Sequence, residues 1–116
     1  MPCEPWYAAK CVFRHTNLTA KGGGWVYEER IVLFRASNED DAISKAEEEA
    51  PQYATEGTEY LGFVEVFHLF TETLEDKIEV FSSMRSSKLP PSEYLDRFID
   101  TGTEHARKTG NSKTGP

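Results

Sequence analysis

Four consecutive residues combine side chains suited to acid–base chemistry, namely Tyr27, Glu28, Glu29 and Arg30. If they lie in a strand, Glu28 and Arg30 share one face and Tyr27 and Glu29 the other, because successive side chains alternate. A carboxylate beside a guanidinium can bind a polar ligand, and with a nucleophile or a metal it can take part in catalysis. The ordinary alternative is a set of cross-strand ion pairs on a solvated sheet face, which contribute little to stability.

Two further polar residues interrupt a later apolar segment, Glu65 and His68, and Arg85 follows them. From neighbouring strands they could add a carboxylate, an imidazole and a guanidinium to the first group. His68 could act as a general base or a pH-sensitive contact, or it could be a half-buried, hydrogen-bonded histidine. Together with Glu28 and Arg30, Glu65 and His68 define a candidate binding site on the sheet.

Other chemical signatures are missing from the sequence. The three histidines show no metal-ligand spacing, and Gly22 to Gly24 are not preceded by a strand and followed by a helix as a phosphate loop requires. Cys11 shares strand parity with Ala9 and Phe13 and is predicted to be a small core residue. The sequence therefore predicts no cofactor and no metal.

The segment from Ser37 to Ala50, SNEDDAISKAEEEA, predicts an acidic amphipathic helix. Ser37 or Asn38 is the predicted N-cap, and acidic residues follow over the positive end of the helix dipole. Pro51 is predicted to end the helix, and alanines at helical spacing predict close packing on a sheet. The run Glu47, Glu48 and Glu49 is a candidate docking surface for a basic protein, the ordinary alternative being a solvated face.

The alternation of apolar residues predicts an α+β fold with a four-stranded antiparallel sheet in the order β-β-α-β-β-α. The long acidic helix is expected across one face, and a short C-terminal helix is expected after Pro90 and Pro91. Residues 1–100 are predicted to form a single domain, and residues 101–116 a disordered polar tail. The predicted strands are Trp6 to His15, Trp25 to Arg35, Tyr60 to Thr71 and Ile78 to Met84.

Two of these strands are apolar on both faces, yet the sequence offers helices to cover only one face of the sheet. We therefore expect an exposed apolar patch on the other face. Such a patch favours a protein partner or a homodimer formed through the open sheet face or edge.

Charge restricts the class of partner. The chain has a net charge of −7, and residues 1–100 carry 19 acidic against 10 basic side chains, a net charge of −9. This field repels nucleic acid and attracts basic proteins. No apolar run is long enough to span a membrane, and two cysteines are too few for a disulfide framework, so a reducing cytoplasm is the expected compartment.

Several ordered motifs resemble a family of small, mainly bacterial proteins, domain of unknown function 4288. The resemblance spans Trp6 to Leu95 and implies a small stand-alone domain, with no activity or catalytic residue to carry over. The motifs are WYAAK at Trp6, YEERIVLF at Tyr27, Ala42 with Ala46, YLGFV at Tyr60 and VFSSMR at Val80.

These observations predict a non-enzymatic protein–protein interaction module, with an immunity or inhibitor protein as its most concrete form. The partner is expected to be basic and to bind the acidic surface. A small enzyme or ligand-binding domain with its site on the sheet face is the alternative. A deep pocket where the four sheet residues converge would favour that alternative.

Overall fold

A computed structural model describes residues 4–20 and 22–99 of the 116-residue chain. The chain divides into two compact units between Ser83 and Met84, and each unit is described by itself. The tail predicted for residues 101–116 lies outside the described residues.

The first unit is a three-stranded antiparallel sheet with one helix packed on it. Strand β1 is central and pairs with β2 on one side and β3 on the other, so β2 and β3 are both edge strands. The elements are β1 (Trp6–His15), β2 (Val26–Arg35), α1 (Glu39–Tyr53) and β3 (Thr58–Leu69).

The predicted four-stranded sheet and the order β-β-α-β-β-α are wrong, because Ile78 to Met84 forms no strand. Its Phe81 ring instead lies 6.1 Å from the Phe67 ring, and the Lys10 ammonium lies 5.4 Å from the centre of Phe81. Phe81 is thus partly buried against a face of the sheet rather than beside an edge strand. Apolar alternation predicts an extended segment in either case, and it cannot tell these two positions apart.

The core lies between the sheet and α1. Alternate residues of β1, from Tyr7 to Phe13, are buried and face the helix, whose buried residues are Ala42, Ala46 and Ala50. The Phe13 ring packs 5.0 Å from Tyr53 and 5.5 Å from Tyr60. Because alanine has no side chain beyond Cβ, the helix backbone lies close to the aromatic residues of the sheet.

The start of α1 follows the predicted cap. Asn38 is the N-cap, and its side-chain oxygen accepts a hydrogen bond of 2.8 Å from the Asp41 backbone N–H. The Asp41 carboxylate in turn accepts a hydrogen bond of 2.9 Å from the Ser37 backbone N–H. The residues before the helix and its first turn are therefore joined by two hydrogen bonds, as in a capping box. The predicted end at Pro51 is wrong: the helix continues to Tyr53 with Pro51 inside its last turn.

One irregularity interrupts β3. The pairing of β1 with β3 shifts between Cys11 and Phe13, where β3 has extra residues around Gly62. Gly62 has φ +80°, a conformation that L side chains rarely adopt. This bulge bends the outer edge of β3.

The second unit contains α2 (Pro91–Tyr94) followed by a π-helical segment (Leu95–Ile99), as the Pro90-Pro91 signature predicts. Within this unit the Arg85 guanidinium lies 4.4 Å from the centre of the Phe98 ring. Among the described residues, no helix is long and apolar enough to cross a membrane.

Candidate functional site

A polar cluster lies on the helix side of the sheet, where the edge strand β2 meets the C-terminal half of α1. Its centre is Arg30, which donates two hydrogen bonds, of 2.8 and 2.9 Å, to the two carboxylate oxygens of Glu49. The guanidinium lies 3.7 Å from the centre of the Tyr53 ring. The hydrogen bonds to Glu49 raise the pKa of Arg30 further above its usual range. The Arg30 guanidinium is therefore positively charged at neutral pH, and its ion-pair partner, Glu49, is part of the same chain.

Glu28 is the second charged group of the cluster. Its carboxylate accepts hydrogen bonds from the Tyr53 hydroxyl at 2.7 and 2.9 Å and lies 2.7 Å from Nε2 of His15. Burial on its own would raise the pKa of Glu28, but the hydrogen bonds from Tyr53 and His15 outweigh it and the pKa is lowered. Glu28 is therefore an ionised carboxylate at neutral pH.

The cluster includes one arrangement with the form of a catalytic relay. Nδ1 of His15 lies 3.2 Å from the Thr58 hydroxyl, while Nε2 faces Glu28, giving the sequence hydroxyl, imidazole, carboxylate. With Nε2 protonated, Nδ1 can accept the hydroxyl proton. However, Thr58, His15 and Glu28 do not line the hollow formed by Pro5 and residues 68–72, nor the hollow of the second unit at Leu89, Glu93, Asp96 and Arg97.

The structure does not bring the four predicted sheet residues together. Glu28 and Arg30 share the helix side of β2, as predicted. Glu65 lies on β3 opposite Lys10, whose ammonium is 3.7 Å away, on the face that points away from α1. His68 lies near the end of β3, where its ring stacks on Tyr7 at 4.9 Å. The four side chains thus occupy two faces and two edges of the sheet.

His68 does border an open hollow of about 430 Å³ at one end of the sheet. The neighbouring Phe70 ring lies 4.3 Å from the His68 ring and is itself 85% exposed. No charged side chain other than Glu72 lines this hollow, so it lacks convergent catalytic groups.

The six carboxylates of α1 separate into two groups. Asp41 binds Ser37 and lies 3.5 Å from Lys45, and Glu49 binds Arg30. The others are exposed and form no ion pair within the described part of the chain. These four residues, here called the acidic ridge, are Glu39, Asp40, Glu47 and Glu48.

The sheet face opposite α1 is electrically balanced and partly apolar. Lys10 lies 3.2 Å from Glu29, and Arg14 bonds Glu59 at 2.9 Å through Nε. Phe81 covers part of this face. The uncovered part contains large apolar side chains that are 42% to 58% exposed, placed on this face by strand alternation: Tyr27, Ile31, Leu61 and Phe63.

Sequence reasoning missed three members of the polar cluster, namely His15, Tyr53 and Thr58. They come from the end of β1, the end of α1 and the start of β3, and only the fold brings them to Glu28. The available signal was local: each is a polar or amphipathic residue at the end of an element. Cys11, in contrast, is a buried free cysteine as predicted, and burial raises the pKa of its thiol.

The family model described as Domain of unknown function (DUF4288) matches residues 6–82. Since this is more than half of the 116 residues, the chain belongs to that family. The match contains all three strands and α1, and it ends before the second unit. No curated protein and no solved structure matches the chain.

Proposed function

We propose that this member of the domain of unknown function 4288 family is a non-enzymatic protein-binding module that docks a basic partner on its acidic surface. The acidic ridge of α1 is the observation that carries the proposal. Its four carboxylates are exposed and lack an ion-pair partner among the described residues, whereas Asp41 and Glu49 are each held by a neighbour.

The spacing of the ridge favours a single contact surface. With 3.6 residues per turn, Asp40, Glu47 and Glu48 project toward the same side of the helix, and Ser44 lies between them. Buried Ala42, Ala46 and Ala50 hold the opposite side against the sheet. The helix therefore presents its carboxylates in fixed relative positions on a rigid element.

The charge of the whole chain reinforces the local pattern. A net charge of −7 raises the encounter rate with a positively charged surface, and like charge disfavours acidic competitors. An immunity or inhibitor protein that blocks a basic toxin is the most concrete form of this function. The cytoplasm is the proposed compartment, because the described cysteine is a free thiol.

The alternative, an enzyme or ligand-binding site on the sheet, requires Glu28, Arg30, Glu65 and His68 to face a common space. Their positions on opposite faces and edges do not supply one. The Glu28 and Arg30 side chains are moreover engaged by Tyr53 and Glu49. We therefore favour the interaction module.

The proposal is tested by affinity capture from the native host with the full-length chain and two charge-reversal variants. E47K/E48K reverses half of the acidic ridge. D76K/E79K makes the same change in net charge at exposed positions away from α1 and is the matched control. We expect a basic protein to be retained by the wild type and by D76K/E79K, and its affinity for E47K/E48K to fall at least about tenfold.

Calorimetric titration with the captured protein gives the three dissociation constants. Equal affinity for all three chains would show that the acidic ridge does not take part in binding. Capture of only acidic proteins, or of small molecules converted by the chain, would contradict the proposed function itself.

A further inference from the structure

Two arginines of the sheet are bound by the same pair of groups, an aromatic ring and a carboxylate. The Arg30 guanidinium lies 3.7 Å from the centre of the Tyr53 ring and donates two hydrogen bonds to Glu49. On the other face of the sheet, the Arg14 guanidinium lies 4.6 Å from the Trp25 ring, and its Nε donates a hydrogen bond of 2.9 Å to a carboxylate of β3. The ring attracts the cation through its face, while the carboxylate accepts its N–H groups.

Arg35 is bound in a related way, with backbone carbonyls in place of the carboxylate. Its guanidinium lies 4.5 Å from the centre of the Trp6 ring. It donates hydrogen bonds of 2.8 Å to the Glu4 carbonyl and 3.3 Å to the Glu72 carbonyl. An aromatic face next to an oxygen acceptor is therefore the arrangement in which the first unit holds all three of its arginines.

The hollow at the end of the sheet contains the same two groups without an arginine. Phe70 and Glu72 both line this hollow, whose volume is about 430 Å³. One side of the Phe70 ring is in contact with His68, at 4.3 Å, but the Phe70 side chain is still 85% exposed. Within residues 4–20 and 22–99, no cation lies over the Phe70 ring and no basic side chain pairs with the Glu72 carboxylate.

The backbone around the hollow is held in place by hydrogen bonds. Arg35 joins two of its walls, because it donates to the carbonyl of the residue before Pro5 and to the carbonyl of Glu72. The Thr71 hydroxyl donates to the Thr73 carbonyl at 2.7 Å and accepts from the Thr73 N–H at 3.3 Å. The hollow is therefore largely formed before any ligand binds, which lowers the entropic cost of binding.

The hollow lies at the end of the sheet at which α1 begins. Trp6 pairs with both Arg35 and Leu69, so the start of β1 and the ends of β2 and β3 meet there. Only residues 36–38 separate the end of β2 from the first residue of α1, Glu39, which is also the first residue of the acidic ridge. A protein bound along the ridge would therefore extend to the end of the unit that contains the hollow.

We propose that this hollow binds an arginine side chain of the basic partner, with the guanidinium over the exposed face of Phe70 and paired with the Glu72 carboxylate. The inference deepens the proposed function and rests on it for the source of the arginine. A net charge of −7 favours a cationic ligand over an anion. Arg35 binds the backbone of the hollow but does not line it.

Arginine matches these two groups better than lysine does. Its planar guanidinium stacks on an aromatic ring and can donate two parallel hydrogen bonds to one carboxylate, as Arg30 does with Glu49. A lysine ammonium is more strongly hydrated and has no planar face. We therefore expect the hollow to discriminate between the two cations, which a general attraction to negative charge would not do.

Nuclear magnetic resonance titration of the full-length chain tests this selectivity with three capped tripeptides. Each has two glycines flanking one central residue, which is arginine, lysine or citrulline. Citrulline has nearly the shape of arginine but no charge. We expect the arginine peptide to shift the resonances of residues 68–72, the lysine peptide to bind at least about twofold more weakly, and the citrulline peptide at least about fivefold more weakly.

Four variants locate the binding site. Phe70→Leu removes the aromatic face and Glu72→Gln removes the charge, and each should weaken binding of the arginine peptide about two- to fivefold. Leu74→Ala and Glu79→Gln are the matched controls, because these side chains are exposed and do not line the hollow. We expect both controls to bind like wild type, and the amide spectrum establishes that each variant is folded.

Three results would overturn the assignment of the hollow. These are no saturable binding of the arginine peptide, equal affinity for the arginine and citrulline peptides, or equal losses in the hollow variants and the controls. Because the peptides replace the partner, this test is separate from that of the proposed function. If the peptides fail but a captured basic protein still requires the acidic ridge, only the hollow is rejected. If the arginine peptide binds as expected but no basic protein is captured, the proposed function is rejected and the arginine selectivity of the hollow is retained.

Discussion

Arg30 shows how a residue with catalytic character becomes structural in this fold. Both terminal nitrogens of its guanidinium donate hydrogen bonds to the Glu49 carboxylate, and the guanidinium lies over the face of the Tyr53 ring. Both members of the ion pair are partly buried, with side chains 25% and 32% exposed. We infer that the pair fixes the C-terminal half of α1 to the edge strand.

This role predicts a measurable stability difference between adjacent glutamates. Glu49→Gln leaves Arg30 without its charged partner and should lower the free energy of unfolding by about 1.5–3 kcal/mol, since hydrogen bonds to charged groups contribute about that much. Glu48→Gln removes the same charge from an exposed, unpaired position and should change it by less than about 0.5 kcal/mol. Urea denaturation of both variants measures the difference, and equal effects would show that the Arg30–Glu49 pair does not stabilise the fold.

The Glu28 carboxylate makes a second prediction, for pH. Burial raises its pKa, and the hydrogen bonds from Tyr53 and His15 lower it by more, so the folded-state pKa lies below the unfolded one. Such a group stabilises the protein above its unfolded pKa of about 4.3, and this stabilisation is lost as the pH falls through the folded pKa. Tyr53→Phe should therefore cost about 1 kcal/mol at pH 7, and the difference from wild type should shrink in acid. A difference that is constant from pH 7 to the acid transition would exclude the hydrogen bond to the ionised form as its cause.

At the residue scale, the sequence indicated correctly that Glu28 and Arg30 share a strand face, because alternation is a local property of β2. It could not indicate that Glu49 and Tyr53 would bind them, since those residues come from another element. For the same reason it could not indicate that Glu65 lies on the other face of the sheet. Which face of β3 meets which face of β2 depends on the register that the whole sheet adopts.

At the scale of elements, strong local signals predicted the bounds of β1 and the start of α1 correctly. β1 has the predicted bounds, and Asn38 caps α1 as the side-chain chemistry requires. The helix was expected to end at Pro51 because proline lacks a backbone N–H, but the last turn continues to Tyr53 and is closed by the hydrogen bond from the Ala54 N–H to the Ala50 carbonyl. The segment around Phe81 was misjudged because an extended chain packed on a sheet face has the same apolar pattern as a strand.

The bulge in β3 makes a prediction at this scale. A Cβ at Gly62 would meet no atom within 4 Å, so substitution there tests backbone strain alone. Gly62→Ala should lower the free energy of unfolding by about 1–2 kcal/mol because of its φ of +80°. Gly62→Asn should cost less, since asparagine tolerates this conformation better. Thermal denaturation compares the two, and an alanine variant as stable as wild type would mean that the bulge does not require glycine.

At the scale of the whole molecule, the first unit has two surfaces that differ in charge and polarity. The helix side presents the acidic ridge, while the opposite face of the sheet balances its charges in pairs and exposes apolar side chains between them. Composition alone indicated the acidic character. It could not indicate which carboxylates are paired, because this depends on distances set by the fold.

The acidic ridge is proposed to bind a basic protein. The most direct test is the association rate constant of the captured partner, measured by stopped flow between about 10 mM and about 150 mM salt. We expect the rate constant of the wild type and of D76K/E79K to fall steeply with salt, and that of E47K/E48K to be lower at low salt and less dependent on salt. A rate constant that is the same for all three chains, or that does not change with salt, would contradict the claim.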